Sequence, residues 1–227
     1  MFLSANVRCP SFDCLRKYSK SKVPGRAGAV LLSARIPPKT LRVRLFLDLA
    51  EDEDAEGLSA LRHEAVAWLA SDAGCDFELP GEPGLVYRNA VCTGADAWDA
   101  LFEDGSCEVE FTCFDPVAYG DGKSSAAGTL TVGGTWATWP VVTLTALAGP
   151  SVKVADGLGR YVLVEREFEA GDEVLLDFRS EAVTVDGADA SAGVAVESTF
   201  FPLFPGSHSL AFSGCSAHTV EWVERWL

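Results

Sequence analysis

The chain has 227 residues, of which 48% are hydrophobic and 22% charged. This globular balance excludes a largely disordered or collagen-like chain and allows one large domain or two small ones. The net charge of −15 disfavours binding to nucleic-acid phosphate, and no uncharged apolar run approaches the ~18 residues of a membrane span.

Residues 1–8 lack the basic-then-apolar layout of a secretory signal, so a cytosolic setting is expected. The first 44 residues carry ten bases (Arg8, Arg16, Lys17, Lys20, Lys22, Arg26, Arg35, Lys39, Arg42 and Arg44) against Asp13 alone, a net of +9, whereas the remaining 183 carry −24. Opposite potentials steer and register assembly. This basic arm therefore reads either as a docking element for an acidic surface, on a neighbouring copy or another protein, or as a solvated segment.

Gly25 and Gly28 punctuate the arm, and strands are predicted at 29–32 and 41–49, separated by Pro37-Pro38. In the second of these, Leu41, Val43, Leu45, Leu47 and Leu49 alternate with Arg42, Arg44, Phe46 and Asp48. The period then changes: Leu58, Leu61, Ala65, Trp68 and Leu69 recur at steps of three and four, and Gly74 follows, which predicts an amphipathic helix over 57–72. The acid run at 51–56 suits the positive end of the helix dipole. Strand patterns at 85–92 and 107–114 complete a β-α-β-β unit by Tyr119. Residues 120–128 (GDGKSSAAG) have no apolar periodicity and read as a linker.

Beyond it, strands are predicted at 129–132, 140–147, 151–154, 160–164, 173–178, 182–185, 200–204, 208–213 and 217–227, with Gly-, Pro- or Asp-containing turns between most of them. Short strands at near-regular spacing indicate a sandwich or jelly roll. The expectation is a mainly β protein with a β-rich domain and one α-helix over 1–119, a linker over 120–128, and a β-sandwich over 129–227.

The chemistry searched for is mostly missing. Seven cysteines (Cys9, Cys14, Cys75, Cys92, Cys107, Cys113 and Cys215) include no C-x-x-C pair and read as reduced thiols. Cys107 and Cys113, six apart in a predicted strand, share a face and read as core residues. His63 precedes Glu64 without the second histidine of H-E-x-x-H, and His208 and His218 fall in predicted strands. No nucleophile elbow, dinucleotide fingerprint or phosphate loop occurs, so no catalytic, cofactor or metal residue is assigned and an enzyme is not expected. Of the tryptophans besides Trp98, Trp68, Trp222 and Trp226 read as core, while Trp136 and Trp139 are the ones available to stack on a sugar.

Several segments stand out in order: residues 23–29 (VPGRAGA) followed by 37–43 (PPKTLRV), the Trp68-Leu69 pair, and residues 111–120 (FTCFDPVAYG). Residues 132–140 (VGGTWATWP), 200–206 (FFPLFPG), Ser213-Gly214 and the end 220–227 (VEWVERWL) follow. Together these segments resemble the distal tail protein family of siphovirus-type phages and prophages. The family-motif positions are Gly25, Gly28, Trp68, Asp115, Pro116, Tyr119, Pro140, Pro205, Gly206, Trp222 and Trp226.

The resemblance implies a ring-forming belt domain and an outer galectin-like sandwich, in a structural virion protein of the tail tip assembled in the host cytoplasm. It implies a hexameric ring joining the tail-tube protein to a tail-associated hub or fibre protein, with DNA passing through, no specific nucleic-acid binding, no membrane and no cofactor. No H-x-N-x-R or W-G-x-E string is present, so galectin-type sugar binding is not carried over, and the length leaves no room for inserted carbohydrate-binding modules. The alternative is a monomeric carbohydrate- or surface-binding sandwich, with a hydrolase using an unrecognised carboxylate pair as a third reading.

Overall fold

Apolar side chains at every second position of residues 41–45 define the buried face of the first sheet. The computed structural model describes residues 2–8, 16–25, 27–48, 55–70, 73–79, 81–96 and 106–227. By internal packing the chain divides into two units, Met1–Ala118 and Tyr119–Leu227.

In the first unit, β1 (Phe2–Arg8), β4 (Lys39–Asp48), β7 (Ser106–Cys113), β6 (Val86–Asp96) and β5 (Cys75–Glu78) lie side by side in that order. All of their pairings are antiparallel. The register sets Leu41, Val43 and Leu45 opposite Phe111, Val109 and Cys107, and all six side chains are buried. Such cross-strand apolar pairs are the stabilising unit of a sheet. On the other face Arg42 and Arg44 stand opposite Glu110 and Glu108. Arg42 reaches both carboxylates at 3.6 and 3.9 Å, but exposed pairs of this kind contribute only ~0–1 kcal/mol. The +9 arm is thus not one segment, because its last two arginines belong to the body of the sheet.

Helix α1 (Ala55–Leu69) buries Leu61 and Ala65, four residues apart on one stripe. Trp68, expected in the core, is 48% exposed. Its ring meets only the edge of the apolar cluster, 6.0 Å from Phe111, whose other side is taken by Phe77 at 5.4 Å. Cys107 and Cys113 are buried on one face as their spacing predicts.

Strands β2 (Lys17–Ser21) and β3 (Val30–Arg35) form a separate two-stranded sheet. Gly25 and Gly28, at φ +79° and +85°, lie in its connecting loop. Between residues 16 and 35 every described side chain is exposed except half-buried Val30.

The second unit is two facing sheets. One runs β8 (Ala118–Ser125), β17 (Cys215–Trp226), β10 (Val141–Ala146), β13 (Glu173–Asp177), β14 (Ala182–Val185) and β15 (Ala188–Asp189). The other runs β12 (Tyr161–Phe168), β11 (Gly149–Asp156), β16 (Gly206–Ser213) and β9 (Thr129–Val132). Alternate residues point inward: Val142, Leu144, Val174, Leu176 and Val220 from the first sheet meet Val152, Val154, Val162 and Val164 from the second in one apolar cluster. Phe178 sits in that cluster with Phe201 edge-on at 5.0 Å. The outer edge of β12 is occupied by the segment after the short 3-10 turn Ser191–Gly193. Ala195 N–H donates to the Leu163 carbonyl and Thr199 N–H to that of Tyr161, and the Ser198 hydroxyl oxygen accepts from Leu163 N–H.

Two expectations change here. Residues 118–125 are strand β8 beside β17, where the composition of 120–128 had suggested a linker. A strand is held by backbone hydrogen bonds, so Gly, Ser and Lys side chains can line one without an apolar alternation. Residues 200–204 are not a ladder strand. Leu203 makes a single bridge, to Thr138, because Pro202 and Pro205 remove the donors a ladder needs.

Candidate functional site

The best-built polar constellation of the second unit fastens the terminal strand. Residues 133–138 lie against the end of β17 through the bridges Gly134–Arg225 and Trp136–Arg225. The Arg225 carbonyl accepts from Thr135 N–H at 2.9 Å and Trp136 N–H at 3.0 Å. Thr138 Oγ1 donates to the Val223 carbonyl at 2.6 Å, and Leu227 N–H donates to Thr135 Oγ1 at 2.9 Å. Gly133 N–H donates to the Glu224 carboxylate at 3.0 Å.

The paired glycines are required here. Gly134 has φ +83°, and a Cβ on it would come within 2.2 Å of the Arg225 carbonyl oxygen. Arg225, only 9% exposed, donates from Nη1 to the Ala137 carbonyl at 3.1 Å and from Nη2 to the Tyr119 hydroxyl at 3.2 Å. Its guanidinium also lies 4.9 Å from the Tyr119 ring centre.

This latch gathers several of the positions singled out in the sequence. Tyr119 receives Arg225, and the glycine-rich opening at 133–135 holds the last strand. Trp222 is buried in the sandwich core, its indole N–H lacking a hydrogen-bond partner among the described residues. Alternate burial in the terminal strand stops at Trp222: Arg225 takes the next buried place, and Trp226, expected in the core, is half-buried. The bridges to residues 134 and 136 impose that change of phase.

Pro140 is buried just before β10, and its carbonyl accepts from Phe178 N–H. Pro205 and Gly206 are exposed at the start of β16, with Gly206 at φ +127°. In the first unit, Asp115 accepts from Val117 N–H at 3.3 Å, closing a local turn around Pro116. Gly25 and Gly28 lie in the exposed hairpin, and Trp68 on the helix. Sequence reading gave Arg225 and Glu224 no role, although both lie in the stretch 220–227 that carries the resemblance; the signal available was a single arginine between two tryptophans.

The titratable groups do not converge. His63 is exposed on α1. His208 Nε2 lies 2.6 Å from the Phe204 carbonyl oxygen, and the His218 ring stacks on Phe212 at 3.8 Å. Cys75, Cys92, Cys107, Cys113 and Cys215 are free thiols. Burial raises all five, Cys113 to about 11, so they remain protonated at neutral pH. Cys9, Cys14 and Trp98 lie outside the described residues.

Asp156 is held below the usual carboxylate range. Burial opposes its charge, but hydrogen bonds from the Arg160 side chain and from the N–H groups of Arg160 and Leu158 outweigh that. Its place is the β11–β12 turn, a structural one. Among the described residues no group of three His, Cys, Asp or Glu side chains is placed to hold a metal ion, and no helix is long and apolar enough to cross a membrane. Trp136 and Trp139 are half-buried, Trp139 packing on the core.

The second unit is thus a two-sheet sandwich closed by its own last strand. Residues 133–226 match the family model described as the siphovirus-type tail component, C-terminal domain. The resemblance to distal tail proteins is borne out.

Among solved structures, the chain is similar to the Dit protein of phage SPP1, described as a paradigm of the hub adsorption apparatus in phages infecting Gram-positive bacteria. Identity is 19%, the match covers 98% of this chain and 92% of that one, and the TM-score is 0.77. A chain of the phage P2 baseplate, in its activated conformation with calcium, matches more loosely. There the identity is 11% over 96% of this chain and 90% of that one, with a TM-score of 0.49. No curated protein matches.

Proposed function

We propose that this chain is a distal tail protein: the hub of a siphovirus-type baseplate, assembled in the host cytoplasm and carried at the tip of the virion tail. Six copies form a ring through the first unit, and the ring joins the tail tube above to hub or fibre proteins below. The role is architectural, without catalysis or cofactor. The first core, over residues 1–119, builds the ring, and the second, over 129–227, stands outside it.

The observation that carries this reading is the family match over the second unit, supported by a likeness of fold to the SPP1 hub protein that extends over nearly the whole chain. Six chains of 24.2 kDa give a particle of about 145 kDa with closed cyclic symmetry. Light scattering joined to negative-stain imaging of the purified protein tests it. A six-membered ring is the expected result. A monomer at every concentration and salt, or another stoichiometry, would count against the reading, and binding to a glycan panel by the monomer would favour the lectin-like alternative.

A further inference from the structure

We infer that the β2–β3 hairpin is an intermolecular clasp, which docks on the acidic first unit of a second copy of this chain. The inference rests on the ring reading above and names the surface that closes the ring. A two-stranded hairpin alone is marginally stable in water, and this one has no buried residue of its own to hold it. It nevertheless exposes Tyr18 at 63%, Leu31 at 59% and Leu32 at 63%, the kind of apolar surface that a partner covers.

Its charge selects that partner. Residues 16–35 carry six bases (Arg16, Lys17, Lys20, Lys22, Arg26 and Arg35) and no acid. Residues 36–118 of the same unit carry a net −13, whereas 119–227, a longer stretch, carry −8. The densest complementary charge therefore lies on the first unit, where exposed Asp76 and Glu78 alternate along the edge strand β5 and Glu64 is exposed on α1. A basic element and an acidic body on one chain make two unlike surfaces. Contact between them is head-to-tail and closes into a ring when the rotation permits.

The test couples lysines to carboxylates with a zero-length carbodiimide in an equal mixture of isotopically heavy and light full-length protein, read by mass spectrometry. Heavy–light links from Lys17, Lys20 or Lys22 into residues 36–118 are expected at low salt. They should disappear in 1 M salt, where screening acts over ~3 Å. Links confined to single chains, or running to residues 119–227, would overturn the inference.

The triple variant Lys17→Glu, Lys20→Glu, Lys22→Glu changes only exposed side chains, and its circular dichroism should be unaltered. It should lose the assembly by light scattering, and retention of the assembly overturns the clasp. Duplex DNA held by the wild type at physiological salt and released by the triple variant would replace the second copy with a phosphate partner. A wild type with heavy–light links but a stoichiometry other than six would leave the clasp standing and remove the hexamer.

Discussion

Strand β17 and the β2–β3 hairpin are both antiparallel ribbons, yet they are held in opposite ways. The end of β17 is fixed by five residues of the 133–138 segment, by a buried arginine on a tyrosine, and by two side chains, Val220 and Trp222, sunk in the sandwich core. Among the described residues the hairpin is paired through its own ladder, with five paired positions and a register shift at Ser19/Lys20. The contrast separates two uses of the same secondary structure. The strand that completes a core has most of its terminal polar groups answered by the same unit, whereas the hairpin leaves its side chains exposed.

The harshest way to break this contrast is to delete residues 220–227. The sandwich should unfold while the first unit survives limited proteolysis as a fragment of about 13 kDa. Degradation of the whole chain at once would show that the two units share a single core.

Within the strand, Trp222→Ala should cost ~3–5 kcal/mol by denaturant titration. Trp222→Phe should cost far less, since the indole N–H it discards has no partner to lose. Next in size, Arg225→Ala should cost about 3 kcal/mol, because it removes the donors to the Tyr119 hydroxyl and the Ala137 carbonyl. Arg225→Lys should not rescue it, as an ammonium cannot span the fork between them.

A smaller effect belongs to Asp156. Its carboxyl is depressed in the folded state, so its stabilisation is present above the unfolded value of ~3.9 and is lost as pH falls through the folded one. Asp156→Asn should remove about 1–2 kcal/mol at neutral pH and flatten the acid limb of the stability profile. Least of all, Tyr18→Ala and Leu31→Ala should shift unfolding midpoints by no more than ~0.5 kcal/mol, while weakening assembly.

Much of this architecture was legible where side chains carry the signal. The alternation at 41–45 and the matching buried positions at 107–113 located the two central strands of the first sheet, and 182–185 was placed to the residue. What escaped was held by backbone. Strand β8 has small and charged residues on it, and β5 is four residues long, too short for a pattern. The latch was half legible: the glycine pair and Tyr119 were marked by resemblance, but Arg225 has meaning only beside Ala137 and Tyr119, which lie about 90 and 106 positions away along the chain. Trp68 shows the converse error, since helical periodicity reports which face is apolar and not how far that face extends under cover.

The covered rim of β12 bears on life in a crowd. A sandwich repeated around a small particle meets its own kind at close quarters, and a bare ladder of N–H and carbonyl groups would invite neighbouring copies to zip into a continuous sheet. Here Ala195, Ser198 and Thr199 answer those groups from within the same chain. Just past the cover, Glu165 and Glu167 present like charges to any approaching twin. The β12 edge is thereby closed to strand addition by a second copy.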